Sequence, residues 1–460
     1  MQPLLAIARL TWKSAFRYRL FWVLLVALIA AIVGLPVLVK DDGTARGFIQ
    51  ILLTYTLGMI LFLMGLSTLW LSCGTLARDV EECQVQMLVV KPVGRWQIWL
   101  GKWLGILALN LVLLAASGIA IHFLIQWRAG HLMPGQKAIL RDEILVSRAA
   151  YKPVPLPLDD EVNRRVKANP AIGALAPAEQ AEARYKIAQQ VYIAAQIVPP
   201  NAVRTWAFDL GLGAKLLRTN ETISVRVKFY PASTNETGLY RGIWFFSEPG
   251  STVRNDYPPI SLASAAPQEF LVSSQLLDSQ GRLLVHYQNM EDITLIFPLE
   301  DGIEILYRDG GFGLNFARGL GIILAWLSLL SAIGLAAASV SSFPVATFFS
   351  ISVLIVVFCS GTLSESVQDQ DVLGGKQDEF QTVRPLANAI LLPMFKAILA
   401  LIQVVNVASP VESLSNGRSI TWSVLGAAWL QVVVAFGGVV AAIGIWLFSR
   451  RELAAAQGSS

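Results

Sequence analysis

Long apolar stretches occupy the first and the last third of this chain, and a polar stretch separates them. An apolar helix of roughly 20 residues crosses the hydrocarbon core of a bilayer, because each residue adds about 1.5 Å. Six stretches meet that length and carry charges almost only near their ends. They are Leu20–Val39, Phe48–Ser72, Trp99–Gln126, Arg318–Val340, Ala346–Leu363 and Ile420–Leu447. The pattern predicts an α-helical polytopic membrane protein with six transmembrane helices.

A seventh apolar stretch, residues 386–407, is interpreted differently because Pro393 and Lys396 lie near its middle. A lysine at the centre of a spanning helix costs about 2.5–3.5 kcal/mol. We therefore expect an amphipathic or re-entrant helix within an extracytoplasmic loop, residues 364–417.

The basic residues predict which helix ends face the cytoplasm. Residues 1–19 carry several cations and no acid, the connection between the second and third helices is also basic, and the tail 448–460 contains Arg450 and Arg451. Residues 364–385, by contrast, are mainly acidic. Both termini are therefore expected in the cytoplasm.

Residues 1–19 have the pattern of an amphipathic interfacial helix. Apolar residues recur at helical spacing, and cations recur every four residues beside them. The apolar set is Leu5, Ala8, Trp12 and Phe16, and the cationic set is Arg9, Lys13 and Arg17. Such a helix suits the headgroup region of a membrane, with Arg9, Trp12, Lys13, Phe16 and Arg17 as anchors. The alternative is a solvated helix bound to a partner protein.

The polar stretch 128–313 lies between the third and fourth predicted helices, so it is expected to form one extracytoplasmic α+β domain. Residues 128–200 are predicted to be helical or irregular, with helices near Asp160–Ala168 and Ala178–Gln196. Over residues 201–310 the apolar period becomes two, which predicts an antiparallel β-sandwich. Strands are predicted at Val203–Phe208, Ile223–Phe229, Leu239–Ser247, Glu269–Leu276, Arg282–Gln288, Ile293–Phe297 and Ile303–Arg308.

The second of these strands shows the alternation most clearly. Ser224, Arg226 and Lys228 alternate with apolar residues, which predicts a strand with one buried and one solvated face.

The connection between the second and third helices, residues 77–102, has the sequence ARDVEECQVQMLVVKPVGRWQIWLGK. An Arg-acid-Val-Glu start precedes a short predicted helix, a Pro-Val-x-Arg turn and a Gly-Lys pair. In these features and in its six-helix layout the chain resembles the permease subunit of type-2 ABC transporters, the export class. The matching residues are Arg78, Asp79, Glu81, Pro92, Val93, Arg95, Gly101 and Lys102, whereas Cys83-Gln84 replaces the Gly-Thr of many members.

The resemblance implies that this connection is a coupling helix bound in a groove of a separate ATPase subunit. It assigns the coupling role to Arg78, Asp79, Glu81, Glu82, Lys91, Pro92, Arg95 and Lys102. It also implies an ATPase homodimer that holds the ATP and Mg, a second permease chain, and a place in the inner (cytoplasmic) membrane of a bacterium. Membrane lipids and an extracytoplasmic protein are further expected partners. The alternative is an ordinary solvated loop with basic anchors.

No catalytic or cofactor-binding role is expected for this chain itself. Gly94 and the pair Gly101-Lys102 have the wrong spacing for a phosphate loop, and no hydroxyl residue follows the lysine. The balance of 36 basic and 32 acidic residues predicts no nucleic-acid partner. The three cysteines lie in or beside apolar segments and are assigned to packing rather than to a metal.

Single polar and small residues within the predicted elements have their own interpretations. Asn110 lies near the middle of the third helix, where an interhelical hydrogen bond is expected and a functional site is the alternative. His286 falls within a predicted strand and is expected to be structural. Gly334 in the fourth helix and Gly437 in the sixth, each followed four residues later by alanine, permit close helix packing.

Two functions fit this organisation. The first is ATP-driven export of a lipophilic or envelope-related substrate by a dimer of such chains. The second is a mechanotransmission or envelope and cofactor assembly complex, which acts through the extracytoplasmic domain and transports nothing. The size of the insert motivates the second. A stand-alone sensor without an ATPase is a third, weaker reading.

Overall fold

The computed structural model describes the chain in two compact units. The first, which we call the membrane unit, is made of residues 1–147 and 310–460, and the second, the insert unit, of residues 148–309. The residues described are 2–17, 20–38, 45–82, 93–130, 145–173, 176–211, 222–235, 237–250, 254–265, 267–358, 391, 393–396, 399, 402 and 409–451.

The elements follow the predicted order of helices, mixed insert and helices. The chain starts with α1 (Gln2–Arg17), α2 (Leu20–Leu38), α3 (Ala45–Glu81) and α4 (Arg95–Gly130). The next elements are β1 (Val146–Tyr151), α5 (Leu158–Ala168), α6 (Pro170–Gly173), α7 (Pro177–Ala194), β2 (Ile197–Val198), β3 (Val203–Asp209), β4 (Thr222–Val227), β5 (Tyr230–Pro231), β6 (Leu239–Ser247), β7 (Arg254–Asp256), β8 (Ile260–Ala263), β9 (Gln268–Ser273), β10 (Arg282–Asn289), β11 (Leu295–Ile296) and β12 (Ile303–Gly311). The last are α8 (Phe312–Ala338), α9 (Phe343–Phe358), α10 (Pro410–Ser415), α11 (Trp422–Ala428), a π-helical segment (Trp429–Gly437) and α12 (Gly438–Arg450).

The membrane unit has the helices of a membrane protein. Within the described residues, four helical segments are long and apolar enough to cross a bilayer: they lie in α3, α4 and α8 and over Trp422–Arg450. The predicted first and fifth spans coincide with α2 and α9, whose described apolar parts, Trp22–Leu35 and Phe343–Phe358, are shorter. The count of six therefore stays a prediction. The predicted re-entrant helix at 386–407 lies largely outside the described residues.

Small residues let α8 approach its neighbours closely, as predicted for Gly334. A Cβ atom at Gly334 would lie 2.7 Å from the Cβ of Ser72 in α3, closer than side chains pack. Within the described residues Gly437 makes no such approach to another helix, since the atom near its Cβ position is a carbonyl oxygen of its own helix, that of Val432; packing against a second chain stays a prediction. Gly444 takes that role instead, since its Cβ would lie 3.1 Å from the Cα of Ala336.

The described residues of the insert unit form three β-sheets. One sheet has the order β1-β12-β4-β9, one has β3-β10-β6-β7 with β8 also paired to β6, and the smallest has β2-β11-β5. The described registers are antiparallel; Val285, for example, lies opposite Trp206 on one side and Phe246 on the other. The strand β6 has the bounds that the sequence predicted, and the two predicted helices are found as α5 and α7.

Aromatic rings fill the single core that the sheets of the insert share. Trp244 is fully buried, and its ring centroid lies 4.5 Å from that of Tyr287 and 5.4 Å from that of Phe270. Tyr287 occupies the space above Gly242, where any Cβ atom would collide with its ring. Burial of these rings supplies most of the favourable energy of such a core, because each removes a large apolar area from water.

The prediction of a solvated face on β4 was wrong. Ser224 and Arg226 are both buried, as are the apolar residues beside them, Ile223, Val225 and Val227. Alternation indicates two different environments, and here the second environment is a buried ionic network rather than water.

Four charged side chains on four adjacent strands make up that network: Arg148, Arg226, Glu269 and Glu304. The guanidinium of Arg148 lies 2.8 Å from one carboxylate oxygen of Glu269. Arg226 lies 2.8 Å from the other oxygen of Glu269 and 3.2 Å from Glu304. Burial lowers the pKa of Arg226, and the two carboxylates oppose that effect. The two arginines balance the two glutamates, which is what allows ions in the interior.

His286 lies in β10 between two hydroxyl groups, in line with the expected structural role. Its Nδ1 is 2.8 Å from Thr205 Oγ1, its Nε2 is 2.9 Å from Ser247 Oγ, and its ring is stacked on Phe245. The imidazole thus bridges three neighbouring strands.

Glu269→Gln is expected to destabilise the insert unit. The change removes a charge that compensates two buried arginines, and breaking such a pair costs about 3–5 kcal/mol. The measurement is the denaturant midpoint for loss of the β-sheet circular dichroism signal, with the full chain in detergent. The matched control is Glu182→Gln, whose exposed carboxylate pairs with Lys186 on α7 and whose midpoint should not change. Equal midpoints for the two variants would contradict a stabilising network.

Candidate functional site

Two of the predicted coupling residues, Lys91 and Pro92, belong to residues 83–92, which fall outside the described part of the chain. The other six lie on either side of that range. Arg78, Asp79 and Glu81 belong to the last turn of α3, and Glu82 follows in an exposed turn. Arg95 and Lys102 belong to the first two turns of α4. The structure therefore brings the two ends of the segment together at one end of the helix bundle.

Lys102 and Asp79 join α3 to α4 by an ion pair in which the lysine is buried and the aspartate is partly exposed. The Lys102 ammonium contacts the Asp79 carboxylate and also donates a hydrogen bond of 2.7 Å to the carbonyl oxygen of Thr75. Lys102 is only 5% exposed. Removing one partner of a buried pair leaves an uncompensated charge, so the pair holds these two helix ends in one register.

Arg95 binds the end of the last helix. Its Nη1 donates hydrogen bonds to three carbonyl oxygens, those of Phe448 at 3.0 Å, Ser449 at 2.6 Å and Arg451 at 3.0 Å. The last carbonyl groups of a helix have no partner within that helix, and a cation there also interacts favourably with the helix dipole. Arg95 thus ties the start of α4 to the end of α12.

Arg451 repeats this arrangement on α8. Its Nη1 donates to the carbonyl oxygens of Ala338 at 3.1 Å and Ser339 at 3.3 Å. Arg451 therefore connects α4 to α8. Its carbonyl oxygen accepts a hydrogen bond from Arg95, and its side chain donates to the end of α8.

Glu81 binds the opposite kind of helix end. Its carboxylate accepts a hydrogen bond of 2.9 Å from the backbone N–H of Phe343, the first residue of α9. The Arg78 guanidinium lies 4.5 Å from the centroid of the Phe343 ring, and Trp70 meets the same ring edge-on at 5.2 Å. A carboxylate at a helix N-terminus has the favourable sign, just as the two arginines have it at C-termini.

We call this set of contacts the terminal clamp; its members are Arg78, Asp79, Glu81, Arg95, Lys102, Phe343 and Arg451. Sequence reasoning identified five of them and missed the other two. The signal for Arg451 was visible, because a cation directly after an apolar helix suits a C-terminus. Its actual acceptors, on a different helix, left no trace in the sequence.

The predicted anchor helix α1 packs closely on α4. A Cβ atom at Gly105 would lie 2.7 Å from both the Ala8 carbonyl oxygen and the Thr11 Cβ, and one at Gly101 would lie 2.8 Å from Ile7. These two glycines, four residues apart, form a notch that a larger residue would fill.

The packed face of α1 differs from the predicted apolar face. Its buried residues are Ile7, Thr11 and Ala15, whereas Leu5 is 65% exposed. Of the predicted anchors, Trp12 and Phe16 are half-buried with ring centroids 5.3 Å apart, Arg9 and Lys13 are exposed, and Arg17 is the last residue of α1. Contact of these residues with lipid stays a prediction.

Asn110 makes the predicted interhelical hydrogen bond. Thr68 in α3 donates to its side-chain oxygen at 3.1 Å, and both residues are buried. Among the described residues, no group of three or more His, Cys, Asp or Glu side chains is placed to hold a metal ion.

Comparison of the chain with known protein families, with characterised proteins and with solved structures finds no match. The membrane unit and the terminal clamp are therefore interpreted from their own geometry.

Arg95→Gln is expected to loosen the end of α12. Hydrogen bonds to a charged group contribute about 1.5–3 kcal/mol, and an amide cannot replace the guanidinium at three carbonyl groups. Hydrogen exchange followed by mass spectrometry should show faster exchange in the last turn of α12 and at the start of α4. Arg9→Gln, which removes an exposed cation of the same unit, is the control and should leave that exchange unchanged. Unaltered exchange in Arg95→Gln would exclude the clamp as a restraint.

Proposed function

We propose that this chain is the membrane-spanning subunit of an ATP-driven transporter of the ABC export class. A separate ATPase drives it through the segment between α3 and α4. The observation that supports this most strongly is the terminal clamp, because both ends of that segment are held by side-chain contacts to other helices. A displacement of the segment then acts on α8, α9 and α12 as well as on its own two helices.

Transmission of force requires stiff connections, and the clamp is built from them. The pair Lys102 and Asp79 is largely buried, and the Arg95 contacts are short and made to backbone atoms rather than to mobile side chains. An ordinary solvated loop has no need of such contacts at both of its ends. This favours the coupling interpretation over the loop with basic anchors.

The proposed partners follow from the same assignment. Glu82, exposed beside the clamp, and Lys91 and Pro92 within the segment are assigned to contact with the ATPase, which holds the ATP and Mg. A second copy or a related permease chain completes the path through the inner membrane. Both termini then lie in the cytoplasm, and the cargo is lipophilic or envelope-related.

A second candidate is a machine that moves its external domain and transports nothing. It is favoured by the junction between β12 and α8, where the last strand of the insert passes directly into an apolar helix without a connecting loop. The neighbouring residues of β12 are held in the sheet, since Glu304 belongs to the buried ionic network. In this candidate, the continuous backbone from β12 to α8 is the connection through which the two units would act on each other.

Glu82→Gln is expected to weaken binding of the proposed ATPase subunit. Loss of an exposed charged contact worth about 1.4 kcal/mol lowers an affinity tenfold. Binding of the purified ATPase to the full chain in nanodiscs measures this, together with stimulated ATP hydrolysis. Glu412→Gln removes an exposed carboxylate elsewhere in the membrane unit and is the control. If no ATPase binds the unmodified chain, the proposal fails.

Sealed vesicles distinguish the two candidates. For an exporter, vesicles that contain the complex should move a labelled lipid in an ATP-dependent manner. For a machine that transports nothing, hydrolysis should proceed at the same rate without movement of any labelled lipid or drug. The complex with a hydrolysis-deficient ATPase serves as the blank in both cases.

A further inference from the structure

An apolar groove runs between α8, α9 and α12 in the membrane unit. Its volume is about 420 Å³, within the range of about 300–1,000 Å³ typical of small-molecule sites. The floor is formed by Ala336 and Ala337 of α8, and the walls by Val345 and Phe349 of α9 and by Ile443 and Leu447 of α12. The floor is closed, because Gly444 allows α12 to pack directly against Ala336.

The length of the groove matches one leaflet of a bilayer. Along α9 it extends from Val345 to Val353, a rise of about 12 Å at 1.5 Å per residue. Half of the hydrocarbon core is about 15 Å thick. The walls face outward from the bundle, since Phe349 is 66% and Ile443 is 51% exposed. A chain of methylene groups lying in one leaflet therefore has the right length and polarity to fill the groove.

One end of the groove is polar, and the other is not. Ser341, the one hydroxyl among the lining residues, lies where α8 ends, next to the start of α9. Leu447 is the last lining residue of α12, and Arg450 follows one helical turn later. The Arg450 guanidinium is exposed and lies 4.3 Å from the centroid of the Trp446 ring, a pairing typical of a membrane interface. A cation at the polar end of the groove complements an anionic group on a bound molecule.

We propose that this groove binds one acyl chain of an anionic phospholipid, whose phosphate lies at Arg450. The inference does not depend on the proposed function, because lipid binding at this site requires neither ATP nor an ATPase. If the transporter assignment is correct, the site also identifies an anionic, acyl-chain amphiphile as the class of molecule that reaches the helices next to the terminal clamp.

A photoactivatable lipid tests the proposal on the full chain in phosphatidylcholine nanodiscs. The probe is phosphatidylglycerol with a diazirine in its acyl chain, and a phosphatidylcholine with the same chain is the reference. Illumination followed by peptide mapping should place the label on Ala337, Phe349 and Ile443. The neighbouring exposed residue Val439, which does not line the groove, should carry far less of it.

Two variants separate the acyl-chain site from the headgroup site. Ala337→Phe fills the groove and should abolish labelling of its walls, whereas Val434→Phe, which adds bulk at an exposed position outside the groove, should not. Arg450→Gln should keep the labelling but remove the preference for phosphatidylglycerol over phosphatidylcholine. Melting temperatures of the variants show that each remains folded.

Three results would overturn the proposal. Labelling spread evenly over groove and non-groove residues would mean an ordinary lipid-facing surface. Cross-linking of Phe349 to a second copy of the chain would mean that a protein surface covers the groove. Labelling that persists in a folded Ala337→Phe variant would place the lipid elsewhere.

Discussion

The membrane unit depends on how the free backbone groups at the ends of its helices are bound. Four N–H groups and four C=O groups at each helix have no partner within it. Here, charged side chains of other helices bind several of them. Arg95 holds the end of α12, Arg451 holds the end of α8, and Glu81 holds the start of α9. The same contacts that satisfy the backbone thus set which helices lie beside one another.

The two units stabilise their interior charges in different ways. In the membrane unit, charges lie at helix ends, where carbonyl and N–H groups provide partners of the opposite partial charge. In the insert, Arg226 lies in the middle of a sheet and needs whole carboxylates on the neighbouring strands. Neutral backbone alone would not offset the cost of burying that cation. This difference explains why the first arrangement joins helices and the second makes one sheet cohesive.

Periodicity predicted the elements well where one physical cause decided the pattern. The strand β6 was found at its predicted bounds, because its residues alternate between the aromatic core and the surface. The same logic failed at Arg226, since a polar residue at every second position is compatible with water or with a buried ion pair. On α1, by contrast, the pattern predicted a lipid-facing set and said nothing about the face that packs on α4, which consists of Ile7, Thr11 and Ala15. There the two glycines of the partner helix decide the packed face, and a helix considered alone does not reveal its partner.

The candidate site shows the same limit of prediction from sequence. The sequence indicated Arg95 and Lys102 through the motif in which they lie, but it gave no sign of what Arg95 binds. Lys102 binds a carboxylate one helix away, which charge patterns suggest. The acceptors of Arg95 are carbonyl oxygens. Because every residue carries one, the residue types in a sequence do not indicate which residues Arg95 binds. Contacts of side chain to backbone are the part of such a site that only coordinates reveal.

The contacts of Arg95 also determine when, during synthesis, this end of the helix bundle can assemble. Its acceptors begin 353 residues later in the chain, and a ribosome adds about 5–20 residues per second. The helix α4 therefore waits on the order of 20–70 seconds before the final turn of α12 exists. During that interval the early helices are inserted but have no fixed neighbours at that end. Assembly of the bundle at this end therefore waits until α12 has been made, and a chain truncated before α12 would lack the acceptors of Arg95.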